Sequence, residues 1–318
     1  MDALDSPLSL AETFGLSPLS VRLREALVTF RGDEGVPPSR FDRTSLGILD
    51  PVLGVGLWLG RRRADGRVAI YNLFNHTQTP IADGWSVRRT QVRDFRGGTL
   101  TYDSHNGTDF AVPPGTVVVA AAPARVLRVS SEFNRGGLKI FLDHGGGLVT
   151  TSNHLGRALV RPGDLVRRGQ PIARSGASGI DMFLMFPWNV PHVHFNVWLG
   201  TEPVDPFALP GEPSLWRRHN DPVPDDGSAD DADFTPTPWE PERIEAGIAA
   251  CTVADVRAAL RAIPALDERA MALLFQYNYY PTRFPERPGL HAGPCPRRPR
   301  LDLPFRATDA VGIAFPNA

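Results

Sequence analysis

The feature that most constrains the fold is a series of β-prone segments running from about residue 99 to residue 207. Stretches rich in Val, Ile and Phe, such as TVVVAAAP, GLKIFLD and HVHFNVWL, alternate with Gly and Pro turns. No part of this region keeps a helical period over three turns. The pattern therefore predicts a mainly β protein with an antiparallel β core.

The segment before this region, residues 1–98, is predicted to form an N-terminal extension. Residues 17–30 have the pattern of a short amphipathic helix, and residues 51–100 then alternate apolar and polar runs such as GVGLWLG and VAIYNLF. Alternation with a period of two is typical of strands, because successive strand residues point to opposite faces. We therefore expect a short helix followed by a β-rich part.

The segments after the core differ sharply in composition. Residues 211–242 are rich in Pro and Asp and poor in apolar residues, which predicts a linker too polar to repay its ordering entropy. Residues 243–318 begin with two apparent helices, 244–264 and 265–278, and end in a Pro- and Arg-rich tail. The predicted organisation is thus an extension (1–98), a core domain (99–210), a linker and a small helical region.

Composition excludes some partners and leaves other questions open. The 318 residues are 42% hydrophobic and 22% charged, with a formal net charge of −1, so no nucleic-acid partner is expected. No stretch has the apolar length of a transmembrane segment, and the first residues lack the pattern of a secretory signal. Cys251 and Cys295 are either core residues or one disulfide. The oligomeric state is left open.

Four of the eight histidines fall in three short motifs of the β region. The HVH motif places His192 and His194 two positions apart, so both imidazoles face the same side of a strand. One ring of such a pair can bind a metal ion while the other moves protons. Two ordinary histidines on a solvated strand explain the isolated motif about equally well.

The HNGTD motif adds a carboxylate, with His105 and Asp109 on either side of Gly107, which permits a tight turn. Three His and carboxylate ligands with an open fourth position are what a catalytic zinc ion requires. Taken alone, the motif also fits a turn with a capping Asp. His154, in the NHL motif, would by itself be an ordinary surface histidine.

The order of these motifs resembles that of the LytM/lysostaphin-type zinc endopeptidases, peptidase family M23. The resemblance covers about residues 100–207, a third of the chain. The matching motifs are HxxxD at His105–Asp109, HL at His154–Leu155, V-x-x-G-x-x-V-x-x-G-Q at Val160–Gln170, GxxG at Gly176–Gly179, HxH at His192–His194 and VDP at Val204–Pro206.

The resemblance implies a barrel-like antiparallel core that binds one Zn²⁺ per chain. His105, Asp109 and His194 would be the zinc ligands, and His154 and His192 would flank the open position as catalytic partners. The implied function is that of a bacterial metalloendopeptidase that hydrolyses peptide cross-links of cell-wall peptidoglycan through a zinc-activated water. By the same resemblance its location would be the cell envelope or outside the cell, and the sequence leaves the cytoplasm open as an alternative. The alternative is a non-catalytic LytM-like module that regulates another cell-wall hydrolase.

The chain departs from the family pattern at the position two residues before the HL histidine. The family often has Tyr there, whereas this chain has Ser152, which would change the lining of the substrate cleft. A separate family tyrosine shortly before HxxxD supports the transition state, and Tyr102 is the nearby candidate.

A second departure is an apolar insert between Gly179 and Pro191, IDMFLMFPWNV. Either it folds onto its own core, or it forms a hydrophobic lip in which Phe183, Met185, Phe186 and Trp188 contact the substrate.

Overall fold

The computed structural model describes residues 4, 6–77, 79–229, 231 and 234–316. Its main feature is one sheet of eleven strands. The strands are β1 Val68–Asn72, β2 Thr108–Ala111, β3 Val117–Val119, β4 Ala124–Glu132, β5 Gly137–Asp143, β6 Leu148–Ala158, β7 Leu165–Val166, β8 Pro171–Ser175, β9 His192–Leu199, β10 Glu202–Val204 and β11 Ile313–Ala314.

The strand order is β11-β1-β2-β9-β6-β5-β4-β7, with β10 paired to β9 and β8 paired to both β3 and β6. Strands β1 and β11 are parallel, and the other pairs are antiparallel. The two ends of this path, β11 and β7, do not pair with each other, so the sheet is open. The predicted mainly β core is confirmed, as an open sheet with mixed strand directions.

The helices lie mainly before β1 and between β10 and β11 in the chain. They are α1 Leu10–Phe14, α2 Leu19–Arg31, α3 Pro51–Trp58, α4 Ile180–Leu184, α5 Pro241–Ala249, α6 Ala254–Arg261 and α7 Leu266–Tyr279, with 3₁₀-helices at Arg43–Ile48, Ile81–Asp83 and Pro281–Arg283. No helix in the described part of the chain has the length and apolar character needed to cross a membrane.

The N-terminal extension contains less strand than its sequence pattern indicates. The predicted first helix is confirmed as α2, and VAIYN forms β1, but residues 51–58 are helical. The Asp50 carboxylate accepts a hydrogen bond from the Leu53 amide at 3.0 Å, and Pro51 occupies the first helical turn. These are strong helix-start signals. The expectation of β structure from residue 51 onward was therefore wrong for α3.

One sheet face packs on a core that three separate parts of the chain build together. Phe110 of β2 and Val193 of β9 point into it, and Ile70 of β1 joins them from the N-terminal extension. From the tail, Leu303 and Phe305 are buried in the same cluster. The tail pairs only at isolated bridges of Leu301 and Phe305 and through the short strand β11, which explains why it has no periodic pattern.

The opposite sheet face is covered at one end by the C-terminal helices. Trp198 of β9 and Phe141 of β5 pack there against residues of α5 and α7. The helix predicted over residues 244–264 divides into α5 and α6, because the Thr252 amide leaves the helical pattern and donates to the Arg283 carbonyl at 2.8 Å. These helices do not cover the other end of this face, which carries the histidines and forms a cleft.

The segment predicted as a polar linker is partly packed. Its described residues include the buried Thr237, whose hydroxyl donates to Asp143 at 2.7 Å, and the buried Trp239. The domain boundaries proposed from the sequence stay predictions. Cys251 is buried and Cys295 partly exposed, and the two do not form a disulfide.

Candidate metal centre and catalytic cleft

A row of polar side chains crosses four neighbouring strands at the open end of the sheet. In the strand register, Asn72 lies opposite Asp109, Asp109 opposite His194, and His194 opposite Asn153. Directly opposed residues of antiparallel strands point to the same face. The register of β1, β2, β9 and β6 therefore brings together residues from distant parts of the sequence.

Three donor atoms of this region converge on one point. Asp109 Oδ1 lies 2.7 Å from His194 Nδ1 and 3.1 Å from His105 Nε2, and the two nitrogens are 3.1 Å apart. His105 reaches the group from the turn before β2. Its Nδ1–H donates to the Leu73 carbonyl at 2.6 Å, which leaves Nε2 unprotonated and able to act as a ligand.

This donor set fits a divalent transition metal. The three side chains are buried, and the ligand atoms lie within 4.8 Å of one another. Burial alone would raise the pKa of Asp109, but the electrostatic influence of His105 and His192 and the hydrogen bonds from His105 and His194 outweigh it and hold the pKa well below its usual range. Burial lowers the pKa of His194 to about 4, so the ring is neutral near pH 7. A carboxylate and two neutral imidazoles are the protonation states that zinc requires.

Two further imidazoles border the donor set. His192 Nδ1–H donates to the Val190 carbonyl at 2.7 Å, and His154 Nδ1–H donates to the Ser178 carbonyl at 2.8 Å. Both bonds orient the second nitrogen of each ring, Nε2, toward the cleft as a proton acceptor. The ring centroids of His154 and His192 are 4.7 Å apart. The structure thus places all five predicted histidine and aspartate residues in one site.

His154 reaches the cleft because β6 bulges at this point. Along β6, Ser152 pairs with Ile140 and Leu155 pairs with Leu138, so β6 has one extra residue over this interval. His154 takes up the irregularity with a left-handed backbone, at φ 58°. Such a conformation is uncommon outside glycine and is concentrated at functional sites.

The same bulge explains the position of Ser152. Its register partners are Phe195 and Ile140, which both belong to the core on the opposite face. Ser152 is buried there and does not line the cleft. A substrate contact of Ser152 stays a prediction, and the geometry does not support it. The bulge interrupts the alternation of side chains between Ser152 and His154, so the two side chains point to different faces of the sheet.

Two tyrosines lie beside the metal centre. The ring centroid of Tyr102, the candidate taken from the sequence, is 4.6 Å from that of His105. The ring centroid of Tyr71 of β1, a residue that sequence reasoning missed, is 5.6 Å from that of His192. Burial raises the pKa of both hydroxyls above the ordinary value, so both stay protonated and able to donate. Tyr71 is 34 positions before His105, too far for a local motif to reveal.

A cavity of about 390 Å³ opens onto the histidines. The N-terminal extension supplies one apolar wall, with Phe30, Phe41 and Leu46. The insert supplies another, with Leu184 and Met185. The N-terminal extension and the insert therefore both shape the space in front of the candidate metal centre.

The insert aromatics predicted to contact substrate lie elsewhere. Phe183 and Phe186 pack edge-to-face on Phe14 of α1, with ring centroids 5.7 and 5.5 Å apart. Trp58 of α3 lies 4.9 Å from Phe186. Neither phenylalanine lines the cavity, and neither does Trp188, which is half-exposed. The structure thus favours the interpretation of the insert as a segment folded onto its own aromatic cluster.

The insert instead brings a carboxylate near His154. Asp181 Oδ2 lies 3.8 Å from His154 Nε2. Burial lowers the pKa of His154, and the charge of Asp181 opposes that shift. Asn72 is a second residue that the sequence did not reveal: its Nδ2 donates to Asp109 Oδ2 at 2.9 Å and orients the carboxylate. Neither residue belongs to a histidine motif, so only the fold reveals them.

The sequence of this region matches a known family. Residues 103–206 match the profile of Peptidase family M23. This segment is therefore similar to peptidase family M23. The match contains all three candidate ligands and both flanking histidines, so the M23 segment and the metal centre coincide.

The curated relatives are similar over the same part of the chain. An uncharacterized metalloprotease of Haemophilus influenzae is 35% identical over 112 residues, which are 35% of this chain and 22% of that protein. Peptidoglycan DD-endopeptidase ShyB of Vibrio cholerae is 38% identical over 101 residues, which are 32% of this chain and 22% of that protein. The chain thus spans about a fifth of the length of these relatives.

Two solved structures illustrate the likeness. A zinc containing peptidase from Vibrio cholerae is 32% identical, with 43% of this chain and 35% of that chain covered and a TM-score of 0.32. The catalytic domain of lysostaphin from Staphylococcus simulans is 29% identical, with 32% and 75% covered and a TM-score of 0.28.

Proposed function

We propose that this protein is a zinc-dependent metalloendopeptidase that cleaves peptide bonds in bacterial cell-wall peptidoglycan. The observation that carries the proposal is the convergence of His105 Nε2, Asp109 Oδ1 and His194 Nδ1 within 3.1 Å of one another at the floor of an open cavity. One Zn²⁺ per chain fits this donor set. The regulatory-module alternative is not favoured, since every ligand position is present.

The chain's own residues would handle the protons of the reaction. When bound, zinc supplies Lewis-acid polarisation of the scissile carbonyl and lowers the pKa of the attacking water. His154 or His192 accepts the proton of that water at Nε2, because in both rings Nδ1–H is already used in a backbone hydrogen bond.

A neutral imidazole whose Nδ1 carries the proton cannot donate from Nε2, so a different group must stabilise the oxyanion. The hydroxyls of Tyr71 and Tyr102 are the protonated donors beside the histidines. After proton transfer, the protonated His154 can pass its Nε2 proton to the leaving amine, with Asp181 stabilising the charged ring.

The curated relatives support the proposed substrate class. ShyB is a peptidoglycan DD-endopeptidase, and ShyA, of the same organism, carries the same description. A peptidoglycan cross-link as substrate places this protein in the cell envelope or outside the cell.

Metal analysis and digestion test the proposal together. Zinc-loaded wild type is expected to carry about one zinc ion and to release amino groups from purified peptidoglycan. His194→Ala is expected to lose the zinc and the activity. His154→Ala is expected to keep the zinc and to lose activity by about 10²- to 10⁴-fold.

The control is His219→Asn, which changes an exposed histidine with a left-handed backbone that Asn tolerates. It is expected to match wild type. Zinc-loaded wild type that cuts neither peptidoglycan nor casein contradicts the hydrolase proposal, and wild type that binds no zinc supports the regulatory alternative.

A further inference from the structure

A second and larger cavity, about 860 Å³ in volume, adjoins the metal-centre cavity. Ile48, Leu49 and Tyr71 line both spaces, so the two share one wall. Because Tyr71 also lies beside His192, a chain bound across the catalytic histidines would continue past Tyr71 into this second space. We call it the side groove.

Arginines dominate the charged lining of the side groove, and most have acidic partners. Arg62 pairs with Asp309 at 3.0 Å, Arg63 with Asp65 at 2.6 Å, and Arg67 lies 3.8 Å from Asp221. Asp50 also lines the groove, where its carboxylate accepts the Leu53 amide hydrogen of α3.

Arg89 differs from these arginines. Its side chain is half-buried beneath the 3₁₀-helix Arg43–Ile48, and its Nε is buried without a hydrogen-bond partner. Among the residues that the structure describes, its guanidinium forms no hydrogen bond and no ion pair. Burial lowers the pKa of Arg89, and no carboxylate opposes that shift.

An unpaired and partly desolvated guanidinium is costly, because burial removes water that no protein acceptor replaces. Its planar set of N–H donors matches a carboxylate in a two-point hydrogen-bonded pair. A bound anion would therefore supply an acceptor for the guanidinium N–H groups that reach the side groove.

We propose that Arg89 binds a carboxylate of the peptide substrate in the side groove and makes the enzyme selective for peptides that carry this group. The inference rests on the proposed function, because it takes the peptide across the metal centre as the occupant of the groove. Arg89 is then a specificity-determining residue outside the histidine and aspartate motifs.

The test measures binding without hydrolysis. His154→Ala protein, which keeps the three proposed zinc ligands, is titrated by calorimetry with purified cross-linked muropeptide dimers. The same dimers, with their carboxylates converted to amides, form the second probe. Arg89→Gln and Arg167→Gln are each added to the same background. Arg167 is an exposed arginine outside the side groove, so its substitution controls for net charge.

We expect amidation to weaken binding about 10- to 100-fold in the His154→Ala protein and in its Arg167→Gln derivative. In the Arg89→Gln derivative the two probes should bind about equally, at the affinity of the amidated dimer. If amidation has the same effect with and without Arg89, the inference is wrong while a peptidoglycan substrate stands. If neither probe binds, the inference and the proposed substrate class both fail.

Discussion

Gly107 shows how one residue can control the metal centre without being a ligand. A Cβ atom at this position would lie 2.8 Å from His194 Nε2 and 2.7 Å from the Phe195 carbonyl oxygen. The sequence suggested that this glycine permits a tight turn, but its backbone is not left-handed. The requirement is for space, because β9 approaches the turn before β2 too closely for any side chain.

We therefore expect Gly107→Ala to push His194 away from Asp109. Zinc affinity should fall, and the unfolding free energy should drop by about 1–3 kcal/mol because the ring and the Phe195 carbonyl must move. Competition with a chromogenic zinc chelator and urea denaturation measure the two effects.

Gly56→Ala is the matched control, because a Cβ at Gly56 in α3 meets nothing within 4 Å. Ala is also the better helix former, so this variant should be slightly more stable and bind zinc normally. Wild-type zinc affinity in Gly107→Ala would show that the space beside His194 is not needed.

At the scale of elements, α1 is held on the sheet by one charged contact. Glu12, which also completes the capping box of α1, accepts two hydrogen bonds from Arg157 of β6, at 2.8 and 3.0 Å. The hydrogen bond from Arg157, followed by that from the Ser9 backbone, lowers the pKa of Glu12 to about 2. This contact fixes α1, and with it Phe14, over the insert.

Glu12→Gln keeps a capping residue and removes the charge. The carboxylate has a lower pKa in the folded state, so its stabilisation is present above about pH 4.5 and disappears as the pH falls toward 2. Because Glu12 is partly exposed, we expect a loss of only about 1 kcal/mol at pH 7.

Urea denaturation of both proteins between pH 7 and pH 3 checks this expectation, and the difference between them should shrink toward the acid end. Glu286→Gln, at an exposed position, should change the unfolding free energy by less than about 0.5 kcal/mol. If the difference in unfolding free energy between wild type and Glu12→Gln stays constant with pH, the charge of Glu12 is not its cause.

At the scale of the whole molecule, the flanking segments complete the core on which the M23 segment packs. Phe305, from the tail, is 1% exposed, and its ring lies edge-on to Phe110 of β2 at 5.8 Å. β11 pairs with β1, so the C-terminal tail and the N-terminal extension meet at one edge of the sheet.

Phe305→Ala should lower the unfolding free energy of the entire chain by about 3–5 kcal/mol, because it leaves a cavity beneath the central strands. Val311→Ala shortens an exposed side chain of the same tail and should change the unfolding free energy by less than about 0.5 kcal/mol. Thermal unfolding followed by tryptophan fluorescence distinguishes them. A small effect of Phe305→Ala would mean that the core is stable without the tail.

The sequence by itself identified the residues to which we assign the chemistry of the site. His105, Asp109, His154, His192 and His194 stand in short motifs of fixed spacing, and strand alternation already places the two HVH rings on one face. The mainly β core was also predictable, since its periodicity is local.

Only the tertiary structure decided what surrounds that chemistry. Tyr71 and Asn72 reach the cleft, and Arg89 reaches the side groove, through the pairing and packing of segments far apart in the chain, which no local pattern encodes. The β6 bulge turned Ser152 toward the core, and contacts with α1 and α3 drew the insert aromatics away from the cavity. The local spacing of the motifs specifies the candidate reacting side chains, whereas long-range packing determines which other side chains lie next to them.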